Sequence, residues 1–250
     1  VPETAPRVPR LIAHRGYPRH YPENSLAGIG AALAAGATGI ECDVQLSADH
    51  VPLVIHDAAL RRTAGIDGDV RDLTAAALEG VEVNESARLG GRFRGTRIPH
   101  LAEIAALARA YPAVTFFVDI KRASLRRFGV DTVLDAVLAA WGAAAAPVLV
   151  SFDRTLLQRA RARAPAPVGW AVERWGDAAP AALAALAPDY VFCAAGNVPA
   201  AALLPPGPWR WVIYDVNEAA AAAHFARHGA DFVETDAIGE LLASPLLRAP

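Results

Sequence analysis

Methionine is absent from this 250-residue chain, lysine occurs once and cysteine twice. Long uninterrupted apolar runs are also missing, because the hydrophobic 54% is rich in Ala and broken by Pro, Gly or Arg. A bilayer-crossing helix needs about 20 consecutive apolar residues, so no membrane span is expected. Cys42 and Cys193 stand far apart on segments that read as buried strands, which excludes a small disulfide framework and suggests inert core thiols in a reducing compartment. The first ten residues, VPETAPRVPR, lack the apolar centre of a secretory signal. A signal already removed leaves no trace, so a cytoplasmic location is only the default. A basic surplus is missing too: the formal net charge is -2 and the arginines are scattered, which argues against a nucleic-acid partner. Oligomeric state is left open.

What is present has an ordered rhythm. The length matches one (β/α)8 barrel, and a single domain over residues 1–250 is the expectation. Short apolar runs, at residues 11–14, 39–46, 52–57, 115–121, 148–152, 168–173, 190–194, 209–216 and 232–235, alternate with helical patterns. The helical patterns cover residues 25–35, 101–110, 132–141, 155–164 and 218–228. That gives one strand more than a barrel needs. Only about five residues separate the second and third runs, too few for the dozen or more of a parallel crossover, so these two form a β-hairpin and eight barrel strands remain. Residues 58–98, rich in Gly, Arg and Asp, read as a small insertion above the strand ends.

Barrel sites form at the C-terminal ends of strands, and there the polar residues gather. His14 and Arg15 end the first strand, Glu41 and Asp43 lie on the second, His56 and Asp57 end the hairpin's return strand, and Asp119 and Lys121 end the next. Glu41 and Asp43, two apart, leave the same face of their strand and repel unless a cation lies between them or rim arginines pair with them. Asp119 offers a third oxygen, as in Mg2+ or Ca2+ sites that keep positions open for water and phosphate. With a turn at residues 48–50, paired positions sum to roughly 98, which brings His56 close to Glu41. His14 arrives from the neighbouring strand, and two imidazoles flanking a phosphodiester suit acid–base work at neutral pH. The Arg15 fork suits a nonbridging phosphate oxygen. Lys121, the one lysine among 24 basic residues, suggests a place where a guanidinium does not fit; a plain salt bridge to Asp119 is the alternative. His20, His50, His100, His224 and His228 read as loop or surface residues.

These motifs resemble the glycerophosphodiester phosphodiesterase family. Their order here is HRG at 14–16, PENS at 22–25, ECDVQLS at 41–47, IHD at 55–57, IPHL at 98–101, DIK at 119–121, SF at 151–152 and TD at 235–236. No single triplet is specific, but the joint order over roughly 220 residues is. The resemblance implies a (β/α)8 barrel with a small insertion, and metal-dependent hydrolysis of a small-molecule glycerophosphodiester to sn-glycerol 3-phosphate and an alcohol. It implies Glu41, Asp43 and Asp119 as metal ligands, His14 and His56 as general acid and base, and Arg15 and Lys121 as phosphate binders. Glu23 would close the metal shell or stand behind it, Asp57 would stand behind it, and Tyr214 would line the substrate slot. Three departures stand out: Asp119 where the family usually has Glu, Tyr214-Asp-Val-Asn217 for the common WTVN, and TDAI without the usual proline. The related spider-venom phospholipase D family is similar in carrying Asp at the first of these.

The attacking group is water or the glycerol 2-hydroxyl, and the sequence does not choose. Two rivals remain. An enzyme cleaving lysophospholipid headgroups predicts an apolar rim at the mouth, for which Trp209, Trp211 and Phe128 are candidates. A noncatalytic phosphodiester-binding barrel would be expected to lose a histidine or a carboxylate, and none is missing. An amidohydrolase-type barrel is disfavoured because no HxH pair ends the first strand.

Overall fold

The structure, a computed structural model, describes residues 8–142 and 146–248; most of the proline-rich N-terminal arm lies outside the described residues. The strands are β1 (Arg10–Ala13), β2 (Gly39–Leu46), β3 (Pro52–Val54), β4 (Thr115–Ile120), β5 (Val148–Ser151), β6 (Val168–Ala171), β7 (Tyr190–Ala194), β8 (Arg210–Tyr214) and β9 (Phe232–Thr235). They run in the spatial order β1-β9-β8-β7-β6-β5-β4-β2-β3, and β1 also pairs with β2. Eight parallel strands therefore close on themselves as a (β/α)8 barrel, and β3 lies antiparallel along the end of β2.

The hairpin has the expected register, with Val44 opposite Val54 and Leu46 opposite Pro52. Its return strand is shorter than residues 52–57. Ile55 N–H donates to Asp43 O at 3.0 Å, and beyond it the chain leaves the ladder. His56 and Asp57 accordingly stand on a loop at the mouth rather than paired across from Glu41. Strands β1, β4, β5 and β6 likewise end one or two residues early, which leaves His14, Lys121, Phe152 and Glu173 just past the ladder. Helices Leu26–Ala34, Leu101–Ala110, Val130–Trp141, Arg154–Arg163 and Ala219–Arg227 match the expected ones to within two residues. Arg122–Phe128, Pro180–Leu186 and Ile238–Ala243 were not anticipated, because six or seven residues are too few to display a 3.6-residue period.

Strand periodicity separates two cores. Leu11, Cys42, Val118, Trp211 and Val233 face outward under the helices, whereas Ile12, Phe117, Val150, Phe192, Val212 and Phe232 fill the barrel. Following the inward positions toward the C-terminal ends, the apolar filling gives way to Glu41 and Asp43 on β2, Asp119 on β4 and Glu234 on β9. The insertion has a cluster of its own, including Leu60, Val70, Leu78, Val83 and Ile98. It is tied to the loop after β1: Glu85 accepts the Glu23 N–H at 2.6 Å, and Arg88 donates to the carbonyls of Pro18 and Tyr21.

Candidate active site

A cavity of about 190 Å3 at the barrel mouth is lined by His14, Arg15, Glu41, Asp43, His56, Asp119, Lys121, Tyr214 and Glu234, with Val150, Phe152, Ala171 and Phe192 on the opposite wall. The strand-end residues of the sequence reading thus converge on one space. A larger basin of about 740 Å3 opens beside it, reaching Asp236 and Glu23, but its Arg62 and Arg88 are engaged by carboxylates or carbonyls.

Glu41, Asp43 and Asp119 are all buried, and one oxygen from each lies within 4.8 Å of the others. The sheet register explains how. Asp43 and Asp119 are partners on adjacent strands, while Glu41 starts one layer lower, opposite Phe117, and has the longer side chain. The short Asp119 stands level with Asp43, so the trio closes without a Glu at this position. Asp43 is gripped from behind: Asn24 Nδ2 donates to Oδ2 at 2.7 Å, and Asp43 N–H donates to Asn24 Oδ1 at 3.1 Å. Lys121 Nζ lies 2.5 Å from Asp43 and 2.6 Å from Asp119. Arg15 Nε is 3.0 Å from Asp43 but off the hydrogen-bonding direction, and Arg15 N–H donates to Glu41 at 3.0 Å.

Charge does not balance inside this group. Glu41, Asp43, Asp119 and Glu234 face only Arg15 and Lys121 as fixed cations. Burial, and then the neighbouring Asp43 and Glu234 charges, push the Glu41 carboxyl well above its usual range. Asp43 moves the other way: burial opposes ionisation, but Lys121 and Arg15 overcome it and hold the carboxyl low. Asp119 Oδ1 is buried with no hydrogen-bond partner. Four carboxyl groups against two fixed cations, three convergent hard oxygens and an orphaned acceptor together fit a divalent cation.

The two histidines differ in their surroundings. His14 Nδ1 is 2.8 Å from Asp236 Oδ1; burial disfavours the imidazolium, but the Asp236 hydrogen bond and the Glu234 charge outweigh it and raise the pKa. His56 Nδ1 is 2.6 Å from Asp57 Oδ1, and burial, with Lys121 and Arg15 adding to it, lowers that pKa despite the opposing Asp43 charge. Arg62 links the supports by donating Nε to Asp57 at 2.6 Å and two N–H groups to Glu23 at 2.6 and 2.7 Å. Glu23 also takes Arg15 Nη1 at 3.2 Å, so it stands behind Arg15 and outside the carboxylate trio.

The HRG turn is shaped by its backbone. Arg15 and Asn24 adopt positive φ (51° and 56°), as does Gly16 (89°). A Cβ on Gly16 would meet Gly28 C and Ile29 N at 2.8 Å, so the loop packs directly on the helix Leu26–Ala34. Ser25 caps that helix, accepting from Gly28 N–H at 3.0 Å. Every residue of PENS has a defined contact.

Asp236, Glu234, Asn24 and Arg62 were not singled out by the sequence reading. Asp236 and Asn24 lie inside the TD and PENS motifs, which by themselves give neither a role, and Glu234 is signalled by its place two residues before Asp236, on the inward face of β9. Arg62 gave no local signal. The apolar rim that lysophospholipid cleavage predicts does not form from Trp209, Trp211 and Phe128. Trp209 and Trp211 belong to the N-terminal end of β8, away from the mouth, and Trp211 is buried against Trp175. Phe128 packs edge-on against His50 of the hairpin turn.

Residues 14–197 match the model of the glycerophosphoryl diester phosphodiesterase family. The chain belongs to that family. A glycerophosphodiester phosphodiesterase of Caldanaerobacter subterraneus subsp. tengcongensis is 40% identical over 94 residues, 38% of each chain. The human glycerophosphodiester phosphodiesterase 1 is 36% identical over 110 residues, 44% of this chain and 33% of that one. The matched segments therefore span between a third and two fifths of these relatives' lengths. Among solved structures, an Oleispira antarctica phosphodiesterase in complex with the product sn-glycerol-3-phosphate superposes with a TM-score of 0.80 at 23% identity, covering 94% of this chain and 95% of that one. A Thermotoga maritima glycerophosphodiester phosphodiesterase gives 0.70 at 21%, covering 94% and 97%. These two likenesses establish the barrel architecture. No helix of the described residues is long and apolar enough to cross a membrane.

Proposed function

We propose that this glycerophosphoryl diester phosphodiesterase family member hydrolyses glycerophosphodiesters to sn-glycerol 3-phosphate and an alcohol. The observation that carries the reading is the pairing of two oppositely tuned histidines over one carboxylate trio in a single small cavity. Family membership narrows the substrate to a phosphodiester, and the Oleispira relative's bound product names the glycerol phosphate half. Glu41, Asp43 and Asp119 would hold a divalent cation, Mg2+ or Ca2+, which supplies Lewis-acid polarisation of a nonbridging phosphate oxygen. Arg15 and Lys121 bind the phosphate charge. His56, neutral at pH 7 because its pKa is lowered, takes the proton of the attacking oxygen. His14, whose hold on a proton is strengthened by Asp236 and Glu234, gives its proton to the leaving alkoxide. Asp236 and Asp57 hold the two rings through their Nδ1 atoms, which leaves Nε2 of each ring as the nitrogen that would work on the substrate.

A substrate panel of glycerophosphocholine, glycerophosphoethanolamine, glycerophosphoglycerol and a lysophospholipid, with Mg2+, Ca2+ or excess chelator, tests this reading. Metal-dependent release of sn-glycerol 3-phosphate is expected, and full activity in excess chelator would overturn the site as drawn. Phosphorus NMR during turnover distinguishes direct attack by water from attack by the 2-hydroxyl, since only the latter passes through a cyclic phosphate.

A further inference from the structure

Glu234 is a fourth carboxylate in the cavity; it lies outside the carboxylate trio and acts on the acid–base pair only through its charge, which helps to raise the His14 pKa. It is 3% exposed, points inward from β9 between Tyr214 of β8 and His14 at the end of β1, and lines the cavity. Its Oε1 is buried without a hydrogen-bond partner. Leaving a buried acceptor unsatisfied costs about 1–3 kcal/mol, more for a charged group, so a donor from outside the chain is the natural completion. Phosphate oxygens cannot be that donor, because an ionised phosphodiester carries acceptors only. The apolar end of a lipid offers no donor either. A hydroxyl does.

We propose that Glu234 reads the polyol half of the substrate by accepting hydrogen bonds from its hydroxyl groups. This rests on the reading of the site as a glycerophosphodiester hydrolase. The opposite wall suits such a moiety, because Val150, Phe152, Ala171 and Phe192 offer apolar contact to the carbon chain while Glu234 and Tyr214 face its oxygens. The arrangement also orients the diester. The glycerol lies along β8 and β9 beside Glu234, the phosphate sits over Arg15 and Lys121, and the leaving alcohol points out of the mouth. A site that hydrogen-bonds a hydroxyl discriminates strongly against an analogue lacking it, because the buried acceptor is then left bare.

The test compares wild type with Glu234→Leu on glycerophosphocholine and on bis(p-nitrophenyl) phosphate, a diester without hydroxyls, in the presence of Mg2+. The ratio of the two kcat/KM values is the readout, so any loss common to both substrates cancels. A hydrogen bond to a charged group corresponds to about a 10- to 150-fold fall in that ratio. Glu234→Gln, which keeps an acceptor, is expected to retain most of the preference. An unchanged ratio overturns the proposal, as does a Gln variant no better than Leu. Calorimetry with sn-glycerol 3-phosphate against n-propyl phosphate gives a second arm that needs no turnover. Wild type is expected to prefer the glycerol ester and Glu234→Leu to lose the preference; equal binding of both esters by wild type also overturns it. Should wild type hydrolyse no glycerophosphodiester yet prefer sn-glycerol 3-phosphate, the hydrolase reading fails and the polyol site stands.

Discussion

Asp236 closes a Thr-Asp pair in the sequence, and its carboxylate, 2.8 Å from Nδ1, makes the largest contribution among those that raise the His14 pKa. Removing that charge reverses one of the forces raising the His14 pKa, while His56, supported by Asp57, is untouched. The expected pH profile of kcat/KM is bell-shaped, rising as His56 loses its proton and falling as His14 loses its own. In Asp236→Asn the falling limb should move to lower pH and the rising limb stay in place; a profile shifted on both sides would contradict the assignment of acid and base. Lys121 makes a second residue-scale prediction. Its ammonium fits between two carboxylates at 2.5 and 2.6 Å, a gap for a point charge rather than a planar fork. Lys121→Arg should lower kcat by about a hundredfold, the usual consequence of moving reacting groups by roughly 1 Å, as steady-state kinetics would reveal. The lysine was conspicuous in the sequence because arginine stands at every other basic position.

At the scale of elements, the strands present the site and the loops after them orient it. The hairpin was legible from connection length alone, and its register came out as expected. Its end did not, because the Ile55 N–H to Asp43 O bond is the last of the ladder, and where the chain turns away beyond it depends on how the strands and the following loop pack in space. His56 still reaches the cavity, supported from the loop by Asp57 and by Gln45 Nε2, which donates to the His56 carbonyl at 2.9 Å. The loop after β1 depends on direct backbone packing at Gly16. Gly16→Ala would combine a positive φ with 2.8 Å contacts to backbone and should destabilise the protein by about 1–3 kcal/mol. At roughly 2–4 °C per kcal/mol for a chain of this size, thermal unfolding would register the loss. A variant with unaltered melting temperature would mean the HRG turn can open without cost.

At the scale of the molecule, the barrel concentrates carboxyl groups at its mouth, and a cation held there would couple its binding to folding. The folded Glu41 carboxyl titrates well above its usual value, so it holds its proton more tightly folded than unfolded. Metal-free protein therefore loses stability as pH rises from the unfolded carboxyl range toward the folded pKa, and a cation competes with the same proton. Added Mg2+ or Ca2+ should raise the melting temperature, by roughly 5–10 °C at a hundredfold excess over Kd. The rise should be smaller at pH 5 than at pH 8; a shift independent of pH would disconnect the cation from the carboxylates. The sequence by itself determined the barrel, the hairpin and the strand-end residues, because period-two alternation and connection length are local properties of the chain. The tertiary structure alone decided the support around them. Asp236 beside His14, Arg62 reaching Glu23 and Asn24 clasping Asp43 depend on contacts between residues 19 to 222 apart, and the burial of Glu234 beside them needs the closed barrel.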